Sequence, residues 1–149
     1  MPPVSSEPRR ALLDTSVVIA PPTAQQVRRY ADELAVSVIT IGELQYGVTA
    51  VTDPLEQTRR RQRVQHTLER FDVLPFDIPT TEYYGAMATL VRQQGRNPRA
   101  RRMDLQIAAT AARHGLTLLT RNASDFAGLE SALTVVDLSN LQPNRPPPH

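Results

Sequence analysis

A chain of 149 residues with 40% hydrophobic content suits one compact domain built round one core. All 17 basic residues are Arg and the net charge is only +2, so binding to nucleic acid would need a local patch rather than a global field. The missing Lys excludes a P-loop nucleotide site and Schiff-base chemistry, and the missing Cys excludes disulfides, thiolate metal sites and cysteine nucleophiles.

The Pro-rich stretches 1–9 and 142–149 read as flexible arms around a domain over 10–141. The first residues lack a basic segment followed by an apolar one, and no run approaches the roughly 20 apolar residues of a membrane span. A cytoplasmic address with no membrane contact is the expectation.

Ala11-Leu12-Leu13 is a short apolar run that ends at Asp14, the pattern of a buried strand. Residues 23–34 read as a helix, and Ala35-Val36-Ser37-Val38 as a second strand. Thr40 can cap a helix that puts Ile41, Leu44 and Val48 on one face. Pro54 suits the first position of a long polar helix over 54–70, with a thin stripe at Val64 and Leu68. A third strand follows over 71–75. Residues 80–94 carry Tyr83, Met87, Leu90 and Val91 at helical spacing, and Gly95 ends that helix. Residues 100–113 repeat the pattern with Ile107, Ala108, Ala111 and Ala112, and Gly115 is the stop. Strands four and five are expected at 116–119 and 133–136.

This alternation predicts an α/β fold, a central parallel sheet of four to five strands flanked by helices on both faces. Such sheets bind ligands beyond the carboxyl ends of their strands. Asp14 stands directly after strand one, Glu43 near the start of the helix after strand two, Asp104 in the first turn of the helix before strand four, and Asp125 in the loop after it.

Four carboxylates gathered at one sheet edge repel each other, and hard divalent ions such as Mg²⁺ or Mn²⁺ offset that charge. A metal held this way lowers the pKa of bound water and stabilises charge on a phosphoryl group under attack. Each acid also has a plainer reading. Thr40-x-x-Glu43 matches a capping box, Asp104 complements a helix dipole, and Asp125 with Asn122 could build a turn. Asp14 is the hardest to dismiss, because a carboxylate beside a buried strand is costly unless paired.

Four segments carry a family resemblance. Leu13-Asp14-Thr15-Ser16-Val17-Val18-Ile19 resembles the opening motif of the PIN-domain ribonucleases, and Thr40-Ile41-Gly42-Glu43-Leu44-Gln45-Tyr46-Gly47-Val48 the second. Asp104-Leu105-Gln106-Ile107-Ala108-Ala109-Thr110-Ala111 is similar to the third, and Leu118-Leu119-Thr120-Arg121-Asn122-Ala123-Ser124-Asp125-Phe126 to the fourth. The order is that of the family, and the match is to its VapC-type toxin branch.

The resemblance implies a Mg²⁺- or Mn²⁺-dependent endoribonuclease toxin of a type II toxin–antitoxin pair, hydrolysing RNA by a metal-activated water. It also implies a small cognate antitoxin and a homodimer. Carried over by residue, Asp14 and Asp104 would be the metal ligands, with Glu43 completing the acidic shell or orienting the attacking water. Some family members carry an acid where Asn122 stands, and Asp125 would then be the fourth acid. Thr15 and Thr120 could hold carboxylates or phosphate by their hydroxyls, or serve as caps.

Two Arg clusters, 59–63 and 96–102, remain. The first reads as a solvated helix face, while the second, just ahead of Asp104, reads equally as a solvated face or a grip on the RNA backbone. His66, His114 and His149 are isolated and read as non-catalytic, and Tyr83 and Tyr84 as core or dimer contacts. A haloacid dehalogenase-like phosphatase is disfavoured by Ser16, which stands where a second Asp is wanted. The alternative is a catalytically degenerate PIN-like module that binds RNA or a protein partner. Retained acids at 14, 43 and 104 weigh against it.

Overall fold

The computed structural model describes residues 7–144. The expected Pro-rich arms lie outside these residues except for 7–9 and 142–144, and His149 lies outside them too. Five strands form one sheet: β1 (Arg10–Leu13), β2 (Glu33–Ser37), β3 (Asp72–Leu74), β4 (Thr117–Thr120) and β5 (Val135–Asp137). The order is β3-β2-β1-β4-β5 and every pairing is parallel. Six α-helices are described: α1 (Thr15–Ile19), α2 (Ala24–Val27), α3 (Val38–Thr49), α4 (Pro54–Arg70), α5 (Ile78–Gln93) and α6 (Arg102–Arg113). None is long and apolar enough to cross a membrane.

Side chains alternate across a strand, and here both faces are covered. Leu12 and Leu118 point to one face, where they pack with Met87, Val91, Leu105, Ile107 and Phe126. Ala11, Leu13 and Leu119 point to the other, with Val17, Leu44, Val48 and Val64. That double burial is why the strands read as continuous apolar runs. Strand order reverses between β1 and β4, so a crevice opens there beyond their carboxyl ends.

Helix α4 spans the expected 54–70, with Pro54 at its start and Asp53 accepting from the Glu56 N–H. Its buried stripe is Val64 and Thr67, while Leu68 is exposed rather than inward. Gly115, at φ 66°, ends the chain reversal from α6 into β4, a conformation that suits a residue without Cβ.

The apolar run Val17-Val18-Ile19 lies in the short helix α1. Two local expectations differ from the structure. The helix expected at 23–34 lasts only for Ala24–Val27. The Arg9 guanidinium captures the carbonyls of Arg28 and Arg29, at 2.7 and 2.9 Å, and the Asp32 and Glu33 N–H groups turn to the Arg9 carbonyl. Those groups are thereby unavailable to a continuing helix, and β2 starts at Glu33. Finally, Ser37 rather than Thr40 caps α3, accepting from the Ile39 N–H at 3.0 Å.

Replacing Leu118, fully buried on the central strand pair, by Ala is expected to cost about 2–5 kcal/mol. Urea unfolding of the two proteins checks this, and a loss below about 1 kcal/mol would mean that the site collapses without a cavity.

Candidate functional site

Asp14 leaves β1 at the point where strand order reverses. Its N–H donates to the Leu119 carbonyl at 2.9 Å, which ties it to β4. The residue is 5% exposed. Its Oδ2 accepts from the Ser16 hydroxyl at 2.7 Å and from Thr120 at 2.8 Å. Both hydroxyls are themselves fixed: Thr120 Oγ1 accepts from the Asn122 N–H and Ser16 Oγ from the Arg121 N–H, each at 3.0 Å. Such charge-assisted hydrogen bonds hold a carboxylate in one orientation.

Glu43 approaches from α3. Its Oε1 accepts from the Thr15 hydroxyl at 2.9 Å, and Thr15 Oγ1 lies 3.0 Å from the fully buried Thr40 hydroxyl. Thr40 is therefore inside the helix and serves this cluster, so the capping-box reading of Glu43 does not hold. Partial burial pushes the Glu43 carboxyl up; Thr15 opposes the rise and the Asp14 charge adds to it.

Asp104, in the first turn of α6, is pushed up to about 6. Burial is the main cause, followed by the charges of Asp125 and Asp14, with Arg101 opposing. Asp125 stands in a 3₁₀ turn, Ala123–Phe126, where its Oδ1 accepts from Arg101 Nη1. The same Nη1 lies 3.9 Å from Asp104.

All four predicted acids line one open cleft of about 420 Å³, with Thr15, Ser16, Ile19, Arg121 and Asn122. Among the described residues, no three potential ligands stand close enough to enclose a metal by themselves. Mg²⁺ does not require that: it usually takes one or two carboxylates and keeps several waters. The donors are hard oxygens, and the mutual repulsion that raises Asp104 is what a divalent cation would relieve. The residues present thus fit a hydrated hard cation.

Ser16 and Arg121 lie within the family-like motifs with no role of their own read from sequence, and Arg101 is read only as a member of the second Arg cluster. Arg121 lines the cleft, and its guanidinium is held by the carbonyls of Ala20, Leu138 and Leu141, to which Nε and Nη1 donate. It thus pins the end of α1 and the segment after β5 behind Asp14. In the second Arg cluster, Arg101 pairs with Asp125, and Arg96 donates to the Ala127 carbonyl. In the first, Arg59 and Arg60 both pair with Glu56, and Arg60 and Arg63 are half-buried rather than on a fully solvated face. Tyr84 packs edge-on against Phe76 with ring centroids 6.2 Å apart, while Tyr83 is exposed. His66 and His114 do not line the cleft.

Residues 11–130 match the PIN-domain family model. The chain is 37% identical over 123 residues to ribonuclease VapC4 of Mycobacterium tuberculosis, covering 81% of this chain and 92% of that protein. It is 28% identical over 133 residues to toxin FitB of Neisseria gonorrhoeae, covering 82% and 94%. Among solved structures, the VapBC-5 toxin–antitoxin structure from M. tuberculosis superposes with a TM-score of 0.73 at 30% identity, over 87% of this chain and 98% of that one.

Two outcomes follow from the site's geometry. Thr120→Val removes a donor to Asp14 and the acceptor of the Asn122 N–H, at an expected cost of about 1–3 kcal/mol in urea unfolding. For Asp104, the folded state holds its proton more tightly than the unfolded chain, whose carboxyl titrates near 3.8. Its stabilising contribution is therefore full below that value and lost as pH climbs through about 6. In EDTA, Asp104→Asn should raise the thermal midpoint relative to the parent at about pH 7.5 and not at about pH 3. An equal shift at both pH values would show that the carboxylate carries no such penalty.

Proposed function

The chain belongs to the PIN-domain family, in its VapC-type branch, and we propose that it is a metal-dependent endoribonuclease toxin of a type II toxin–antitoxin pair. The observation that carries this reading is the convergence of Asp14, Glu43, Asp104 and Asp125 on one cleft at the strand-order reversal. The printed names of relatives add support: ribonucleases and toxins among the proteins, toxin–antitoxin complexes among the structures.

Asp14 and Asp104 would hold Mg²⁺ or Mn²⁺. When bound, the cation supplies charge neutralisation for the phosphoryl oxygens and lowers the pKa of water. Glu43 orients the attacking water and takes its proton; a carboxyl raised by burial is a stronger base than an exposed one. The water oxygen forms the new bond to phosphorus, and the ester oxygen on the opposite side leaves with the electron pair. Asp125 completes the acidic wall and keeps Arg101 beside it. Ser16 and Thr120 hold Asp14 in place, so they act as positioning residues. A small antitoxin covering the cleft and a homodimeric toxin complete the proposal.

The test is cleavage of a mixed cellular RNA pool by the purified chain in Mg²⁺, in Mn²⁺ and in EDTA, beside an Asp14→Asn variant checked for intact folding. Discrete fragments are expected with metal, vanishing in EDTA and falling roughly 100-fold or more in the variant. Cleavage that survives both EDTA and Asp14→Asn, or no cleavage with either metal by antitoxin-free protein, would overturn the enzymatic reading in favour of a binding module.

A further inference from the structure

Beside the acidic cleft lies a second cavity of about 140 Å³, lined by Ile19, Glu43, Leu44, Gly47, Arg60 and Arg63. Ile19 and Glu43 belong to both cavities and form the wall between them. On one side of that wall the lining is carboxylate; on the other it is guanidinium.

The two arginines differ in how they are held. Arg60 is fixed: its Nε donates to Glu56 at 3.0 Å and its Nη1 to the Gly47 carbonyl at 2.8 Å. A guanidinium has five N–H donors, so Nη2 retains its own. Arg63 makes no side-chain hydrogen bond or ion pair among the described residues, although it is half-buried against the same cavity. Its guanidinium donors are thus left for an anion from outside the chain. The nearby acids are already engaged, Glu56 with Arg59 and Arg60 and Glu43 with the Thr15 hydroxyl.

The other arginines near the cleft offer less. Arg101 is paired with Asp125, and Arg96 donates to a backbone carbonyl. Arg121 spends Nε and Nη1 on backbone carbonyls and keeps its unpartnered Nη2 buried, and Arg99 and Arg102 line neither cavity. Unspent guanidinium donors that line a cavity adjoining the carboxylates are therefore on the α4 side.

We propose that Arg60 and Arg63 form an anion subsite for the RNA phosphate next to the one being cleaved, with the strand crossing the Ile19 and Glu43 wall. The proposal rests on the ribonuclease reading above. A nucleic-acid backbone fits because it presents anions at regular intervals: one meets the acidic cleft through its cation, the next meets guanidinium. Ile19, 50% exposed, offers apolar surface to the sugar or base between them.

The test uses the full chain carrying Asp14→Asn, to prevent cleavage, in Mg²⁺ with a fluorescein-labelled single-stranded RNA oligonucleotide. Anisotropy titrations across a salt series compare this parent with added Arg63→Gln and with added Arg61→Gln. Arg61 lies on the same helix, carries the same charge and is exposed. Loss of one phosphate contact should weaken binding roughly 3–10-fold and reduce the salt slope by about 0.7. Arg61→Gln should change binding less than about 2-fold. Thermal midpoints of the variants check that folding is intact.

Equal losses from the two substitutions would overturn the subsite and leave the ribonuclease reading standing. A parent that binds no RNA even at low salt would sink both. Displacement of the RNA by an oligo-glutamate peptide as effectively as by unlabelled RNA would overturn the choice of RNA and assign the subsite to an acidic polypeptide.

Discussion

A single buried carboxylate organises this molecule. Among the described residues, Asp14 is the only ionisable side chain classed with the buried ones, and it sits where two central strands end side by side. An unpaired charge there would be very costly, so its surroundings must supply donors. They come from both sides of the reversal, Ser16 from the helix after β1 and Thr120 from the end of β4. The apolar sheet fixes where those donors stand, and the donors fix where the carboxylate points.

The remaining acids are arranged by graded compensation. Glu43 has a hydroxyl partner, Asp125 a guanidinium, and Asp104 only a distant share of that guanidinium. Asp104 is the one driven up to about 6, by burial first and by the charges of Asp125 and Asp14 next. The site keeps its charge least satisfied at one carboxylate, and that is where a cation gains most from binding.

The sheet was readable because parallel strands buried on both faces leave continuous apolar runs, as at Leu12-Leu13 and Leu118-Leu119. Asp14 was readable for the same reason, since it follows such a run directly, while Glu43, Asp104 and Asp125 stand on the helices and the turn that join the strands. What escaped reading was decided by partners far away in the chain. Nothing local says that Arg9 will take the carbonyls of Arg28 and Arg29 and cut a helix short. Nor does local sequence say that Thr40, spaced like a cap for Glu43, will meet Thr15 while Ser37 does the capping. Nor does local sequence separate Arg101, which meets a carboxylate, from Arg121, which donates to backbone carbonyls.

The strand order has a consequence for the making of the protein. A ribosome delivers β1 first, yet Asp14 receives its Thr120 partner only 106 residues later. Two of the three residues whose carbonyls anchor Arg121, Leu138 and Leu141, emerge later still. A nascent chain halted between α6 and β4 would already contain Asp14, Glu43 and Asp104 but lack the strand that aligns the first of them. Long-range pairing of this kind also slows folding, because loop closure precedes its reward. The acidic cleft therefore cannot be complete before β4 has emerged, and an interrupted translation product would carry its acids without their alignment.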